Sequence, residues 1–187
     1  MGSLIFVLLG MTLMAATYWL MSRKMDFIGQ SPDDYTGIGP NFDMREYLNG
    51  PLQCEGMIYG PTGRVSSRFV ADMDVVWTGN VGVMKERFRY DSGTVQDRQW
   101  TLTLSNDGSV KAEADDVIGA GQGMQKGSAL ELKYRIKLPD SAGGHELDAV
   151  DWMYLVENGT IMNRSQFRKY GIKVAELVAT MRRKEAA

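Results

Sequence analysis

Acidic side chains are the first candidates for chemistry in this chain, because they come in close pairs. Asp72/Asp74, Asp115/Asp116 and Asp148/Asp151 each place two carboxyls within a few residues. Paired acids do general acid–base work when their surroundings push their pKa values apart. Asp72 and Asp74 fall on the polar side of an alternating run, which puts them in solvent. Asp151 differs, since it adjoins the aromatic-rich run Trp152-Met153-Tyr154. A buried carboxylate needs a partner. A hairpin through Asn158-Gly159 would pair positions near 154 to 156 with 161 to 163, bringing the basic stretch Arg164 to Arg168 close to Asp151. An internal Asp–Arg pair is therefore expected there, and no catalytic residue is assigned.

The chain of 187 residues has one Cys and one His. That excludes a disulfide within the chain and a Cys/His zinc site of the usual ligand count. No metal site and no cofactor is expected. His145 lies beside Gly143 and Gly144 and reads as an exposed loop residue. Cys54 has no His fixed near it in sequence and reads as a small apolar filler. Gly119-Ala120-Gly121-Gln122-Gly123 lacks the third glycine of a dinucleotide fingerprint, and Lys126-Gly127-Ser128 is not a P-loop. That stretch reads as a flexible or bulged strand connection. Asn158-Gly159-Thr160 and Asn163-Arg164-Ser165 match the glycosylation pattern but read as turn and strand residues. Lys and Arg number 21 against 23 Asp and Glu. The near-balance argues against nucleic acid as a partner.

Two kinds of element would have to position these groups. The first is an uncharged apolar run from Leu4 to Met21. About 18 residues at ~1.5 Å rise approach the ~30 Å hydrocarbon core of a bilayer. Tyr18 and Trp19 stand where amphipathic rings favour the interface, and Arg23 and Lys24 follow. Residues 1–24 are expected to form an uncleaved transmembrane anchor. A cleaved signal peptide is the rival, disfavoured by the absence of a basic residue before Leu4. The basic pair after the segment favours a cytoplasmic domain. Residues 25–40, punctuated by Gly, Pro and Asp, read as a tether.

The second kind of element is the hairpin. Turn signals recur at Pro61-Thr62-Gly63, Thr78-Gly79-Asn80, Asp91-Ser92-Gly93, Asn106-Asp107-Gly108, Pro139 to Gly144 and Asn158-Gly159. The runs between them alternate with period two. Leu130, Leu132, Tyr134, Ile136 and Leu138 oppose Glu131, Lys133, Arg135 and Lys137. Met84, Phe88 and Tyr90 form another apolar face, into which Glu86 falls. Trp100, Leu102 and Leu104 share their register with Arg98 and Gln96. Trp152 and Tyr154 read as the apolar face of their run, opposed by Asp151 and Met153. Ile172 to Met181 reads as a last strand, and a short helix is expected near Phe42 to Leu48 with Asn41 as its cap. Residues 41–187 are thus expected to be all-β, with about eight or nine antiparallel strands in sequential hairpins. An up-and-down barrel hides every edge; a two-sheet sandwich is the alternative.

Laid out in order, these residues resemble a known family. Phe42-Asp43, Gly63-Arg64-Val65 and Arg68-Phe69 look like its opening. Phe88 to Gly93, Arg98 and Trp100 look like its middle. Asp115 to Gly119, Gly127-Ser128-Ala129, Asp151 to Leu155 and Asn163-Arg164-Ser165 close it. The likeness is to domain of unknown function 3833, a proteobacterial family of lipoprotein-like proteins. It implies a lipocalin-like, calycin-type barrel and a place in the cell envelope near membrane fatty-acid metabolism. No activity carries over. Many relatives end their leader in an acylated Cys; here the only Cys is Cys54, so the apolar run takes the role of anchor. The family favours a periplasmic domain, against the charge rule.

The expected function is a barrel held at the inner membrane that binds a fatty acid, acyl lipid or other apolar molecule. Arg98, Trp100, Asp151, Trp152, Tyr154, Asn163 and Arg164 are expected to line or gate the cavity, with an Arg meeting a carboxylate head. The expected partners are the bilayer, the ligand and a lipid-modifying enzyme. Two alternatives stay open: an accessory module with a filled core that recruits such an enzyme, and a lipid-acting enzyme using Asp151 or Asp116 as base.

Overall fold

The computed structural model describes residues 2–24 and 27–184. Of Ser22, Arg23 and Ser141 only the backbone is described. Met1, Met25, Asp26 and residues 185–187, at the margins of the expected anchor, tether and barrel, lie outside the described residues. Contacts divide the chain into two units, one ending at Asp34 and one beginning at Tyr35.

The first unit holds helix α1, Gly2–Lys24. Its apolar side chains run all around the helix and are exposed. Gly2–Met21 reaches a mean hydropathy of 2.0, long and apolar enough to cross a membrane. A 3-10 turn over Phe27–Gly29 follows.

The second unit is a closed antiparallel barrel of ten strands. They are β1 (Gly50–Tyr59), β2 (Val65–Thr78), β3 (Val81–Tyr90), β4 (Val95–Leu104) and β5 (Ser109–Glu113). Then come β6 (Gly121–Lys126), β7 (Ala129–Lys137), β8 (Glu146–Leu155), β9 (Ile161–Lys169) and β10 (Ile172–Arg183). Each strand pairs with the next, and β1 closes on β10, from Leu52 opposite Arg183 to Tyr59 opposite Glu176. The sandwich alternative is thereby excluded. The count is ten, not the expected eight or nine, because β5 and β6 are short and weakly patterned. In β6, Gly121 and Gly123 supply no side chains to alternate. A Cβ on Gly123 would collide with the Glu131 carbonyl of β7, so the glycine there serves close strand approach.

Period two places the core inside the barrel. Leu102 and Leu130 are almost wholly buried, each worth about 1.5–3 kcal/mol of transfer free energy. One barrel end is plugged by helix α2, Met44–Tyr47. Its cap is Asp43 rather than the expected Asn41; the Asp43 carboxylate accepts from the Arg45 backbone N–H at 2.9 Å. Met44 and Leu48 are buried below it. The Trp77 indole N–H donates to the Leu48 carbonyl at 2.7 Å, which fixes the plug to β2.

Candidate functional site

The barrel encloses a cavity of about 500 Å³. Its floor is Met44 and Leu48 of the plug, and its walls are largely apolar. At the opposite end the lining includes Thr94, Lys137, Pro139 and Ala142, all exposed. The cavity therefore reaches solvent at the hairpin end formed by the β3–β4 and β7–β8 connections. Half-buried Phe88, Tyr90, Ile136 and Phe167 surround the approach to that mouth.

A polar cluster interrupts the apolar wall. Residues 114–118 leave β5 and fold back against β7: Val117 bridges Ile136, and Lys137 N–H donates to the Asp116 carbonyl at 2.8 Å. This fold-back brings the Asp116 side chain to the Arg98 guanidinium. Arg98 Nε and Nη2 donate to Asp116 Oδ1 at 3.0 and 2.9 Å. The guanidinium also lies 4.2 Å from the Trp100 ring centroid, a cation–π contact. Trp100 in turn meets Tyr134 edge-on at 5.3 Å. The Tyr134 hydroxyl donates to Asp151 Oδ2 at 2.9 Å. Glu86 stands opposite Arg98 in the β3–β4 register and lines the same cavity.

Burial sets the protonation of this cluster. It pushes the Glu86 carboxyl up from 4.5 to about 7, with Arg98 working against the shift and Asp116 and Asp151 adding to it. Burial likewise raises Asp151, against the opposing pull of Ser165, Tyr134 and Arg98. Tyr134 is raised well above its ordinary value by burial and by the Asp151 charge, so its hydroxyl stays a donor. Arg98 is raised on balance: burial lowers it, but Tyr134, Glu86 and Asp116 outweigh that. One oxygen of each acid, Glu86 Oε2 and Asp151 Oδ1, is buried without a hydrogen-bond partner. Cys54 also faces the cavity. Burial first, then the Glu86 and Glu55 charges, push its thiol up to about 12, which leaves almost no thiolate for nucleophilic work.

Of the seven residues singled out in the sequence, Arg98, Trp100, Asp151 and Asn163 line the cavity together. Trp152, Tyr154 and Arg164 stand on the outer face. The alternation of β8 has the opposite phase to the expected one, with Asp151 and Met153 inside. The reason is a cover on the outside. Tyr35 packs its ring 5.3 Å from Trp152 and 5.4 Å from Tyr154, and Phe42 N–H donates to the Gly127 carbonyl at 2.7 Å. Trp152 is thus fully buried without facing the interior.

The expected pairing of Asp151 with Arg164 to Arg168 does not form. The hairpin register is as expected at Tyr154↔Met162 and Leu155↔Ile161, but it sets Ser165 opposite Asp151. Arg164 therefore points outward, where it bonds Glu176 at 2.6 Å. Arg168 donates to Gln166 and to the Gly171 carbonyl. Asp151 takes Tyr134 instead. Glu86 and Tyr134 are the members of the cluster that were not singled out. The signal for Glu86 is its place as the one acid on an apolar face.

Asp72 lies on the surface with Arg89 and Lys184. His145 is exposed, with its Nδ1 3.0 Å from Lys169 Nζ. Among the described residues no group of His, Cys, Asp and Glu is arranged to hold a metal ion.

Known structures share this barrel. An S-type phycobiliprotein lyase, CPES from Guillardia theta, superposes with a TM-score of 0.58 at 13% identity, over 76% of this chain and 91% of that one. Rv2717c from M. tuberculosis gives 0.55 at 16% identity, over 79% and 99%. A protein of unknown function from the DUF3598 family of Nostoc punctiforme gives 0.54 at 10% identity, over 78% and 51%. At these identities the likeness is one of fold. No curated protein sequence matches the chain. Residues 23–183 match the family described as "Protein of unknown function (DUF3833)".

Proposed function

The chain belongs to the DUF3833 family, and from that premise we propose that it is a ligand-binding barrel. It holds an apolar small molecule or lipid inside, next to a membrane to which α1 anchors it. The observation that carries this reading is the cavity of about 500 Å³ with an apolar wall and one open end. That volume lies in the range of small-molecule sites. An accessory module with a filled core would have no such space. The all-round apolar surface of α1 supports the anchor, and proximity to a bilayer supplies apolar molecules at high local concentration. The likeness to a barrel called a phycobiliprotein lyase agrees with a fold able to hold a ligand.

The test is to purify the full chain in mild detergent, extract it with organic solvent, and identify by mass spectrometry any molecule bound one to one. Ala175, half-buried on the cavity wall, supplies the control. Ala175→Trp puts a large ring into the cavity from β10, a strand that contributes no residue to the polar cluster. The expected result is a molecule recovered from the wild type and lost from the variant. Equal recovery from both would refute interior binding.

A second reading is favoured by one observation. Glu86 titrates at about 7 inside a cavity, and an acid tuned near the working pH is suited to proton transfer. Incubation of the full chain with the extracted ligand, followed by mass spectrometry, tests it. Product formed by the wild type and not by Glu86→Gln supports catalysis. Unchanged ligand in both leaves binding alone.

A further inference from the structure

The fatty-acid expectation places a ligand carboxylate on Arg98, and the cavity is badly arranged for that. Arg98 already gives two hydrogen bonds to Asp116 and rests on Trp100. Lys137, the other cation lining the cavity, belongs to the mouth and is exposed. The inner cluster holds one guanidinium and three carboxyls, Asp116, Glu86 and Asp151. Once Glu86 or Asp151 ionises, a ligand carboxylate would meet more negative charge than positive, where the interaction is weakly screened.

What the cluster lacks, once these acids ionise, is donors. Glu86 Oε2 on β3 and Asp151 Oδ1 on β8 are buried, face the cavity and make no hydrogen bond of ordinary geometry, with Trp100 and Ser165 the nearest other donors to the two acids. Buried polar atoms are otherwise nearly always paired, so two that face one cavity from opposite sides of the barrel mark a site. From these we infer that the polar cluster in the cavity wall receives a basic, hydrogen-bond-donating nitrogen, an amine or protonated heterocycle, carried by an apolar molecule. The free oxygens of Glu86 and Asp151 accept from it. This inference rests on the ligand-binding reading above and narrows it to a class of ligand.

The other groups facing the cluster fit that role. Tyr134 on β7 donates to the second Asp151 oxygen and keeps the first one free. Arg98 on β4 is neutralised by Asp116 and so does not repel a cation as a bare charge would. Cys54 on β1 is a neutral thiol, and Asn163 on β9 donates to the Trp152 carbonyl. The protons held by Glu86 and Asp151 in the empty cavity are displaced when a cation enters. Binding therefore strengthens as pH rises and the acids ionise.

The experiment uses three soluble probes with one chain length, namely octylammonium, octanol and octanoate. Each is titrated against the detergent-solubilised full chain and followed by isothermal calorimetry at about pH 5.5 and 8. The inference predicts octylammonium at least about tenfold tighter than octanoate at pH 8. That preference shrinks at pH 5.5 and disappears in the Glu86→Gln/Asp151→Asn double variant. The wild-type pH series stands alone if the double variant does not fold. Octanoate binding as tightly as octylammonium, or a preference that ignores pH, overturns the inference while leaving the ligand-binding reading intact. Failure of all three probes, octanol included, overturns both.

Discussion

Replacing Glu86 with Gln should make the protein more stable, and by an amount that grows with pH. Glu86 is 7% exposed. Its carboxyl is pushed from 4.5 to about 7, chiefly by burial. In the folded state it therefore holds its proton more tightly than in the unfolded chain. The associated stability is fully present below about pH 4.5 and falls as pH rises through about 7. About 2.5 pKa units at about 1.4 kcal/mol each give a loss of about 3 kcal/mol by pH 8. Gln keeps the shape and removes the charge, so the variant escapes that loss. The assay is urea unfolding of the full chain in non-ionic detergent, followed by tryptophan fluorescence at about pH 5, 6, 7 and 8. The gap between variant and wild type should open by about 2.5 kcal/mol across that range. In melting temperature that is roughly 5–10 °C for a chain of this size. Any misfit of the Gln amide shifts every point equally and leaves the slope intact. A gap that is flat with pH, or that closes as pH rises, would refute the buried-acid reasoning.

Other changes report on the parts that build the site. Asp116→Asn leaves Arg98 without its counter-charge and should cost about 2–4 kcal/mol in urea unfolding, of which Arg98→Met/Asp116→Leu recovers most. Gly127→Ala should destabilise by more than ~1 kcal/mol, because Gly127 has φ +53° and a Cβ there would strike the Tyr35 and Ile38 carbonyls. Faster proteolysis around residues 35–40 would show the cover lifting from the barrel. Cys54, with its thiol pushed up to about 12, should resist maleimide at about pH 8 in the folded chain and react fully once unfolded.

The barrel was legible in the sequence because most strands carry a two-residue alternation strong enough to declare an inner face. Strands β3, β4 and β7 show this best, and they deliver Glu86, Arg98, Trp100 and Tyr134 to one cavity. The pattern failed in β6, where glycine removes the side chains that would alternate. It failed differently in β8. There the aromatics Trp152 and Tyr154 are on the outer face and an acid is on the inner one, because Tyr35, more than a hundred residues earlier, covers the outside. No local pattern reports a cover that comes from so far along the chain. The partner of Asp151 was missed for a third reason. With the register as expected, the in–out alternation along β9 puts Ser165 inward opposite Asp151 and its neighbour Arg164 outward. The Arg98–Asp116 pair depends on a loop folding back onto β7, which spacing does not disclose.

The central claim is that an apolar molecule enters the barrel. It is tested most directly by contact quenching inside the cavity. Two full-length variants keep a single tryptophan each, Trp100 on the inner wall or Trp152 beneath the outer cover, with the other three tryptophans replaced by Phe. Each is titrated with a brominated short-chain alkane alcohol, a quencher that acts at contact distance. The account predicts saturable quenching of Trp100, little of Trp152, and loss of the Trp100 signal when Ala175→Phe narrows the passage. Quenching of the two tryptophans alike, or of neither, would contradict it.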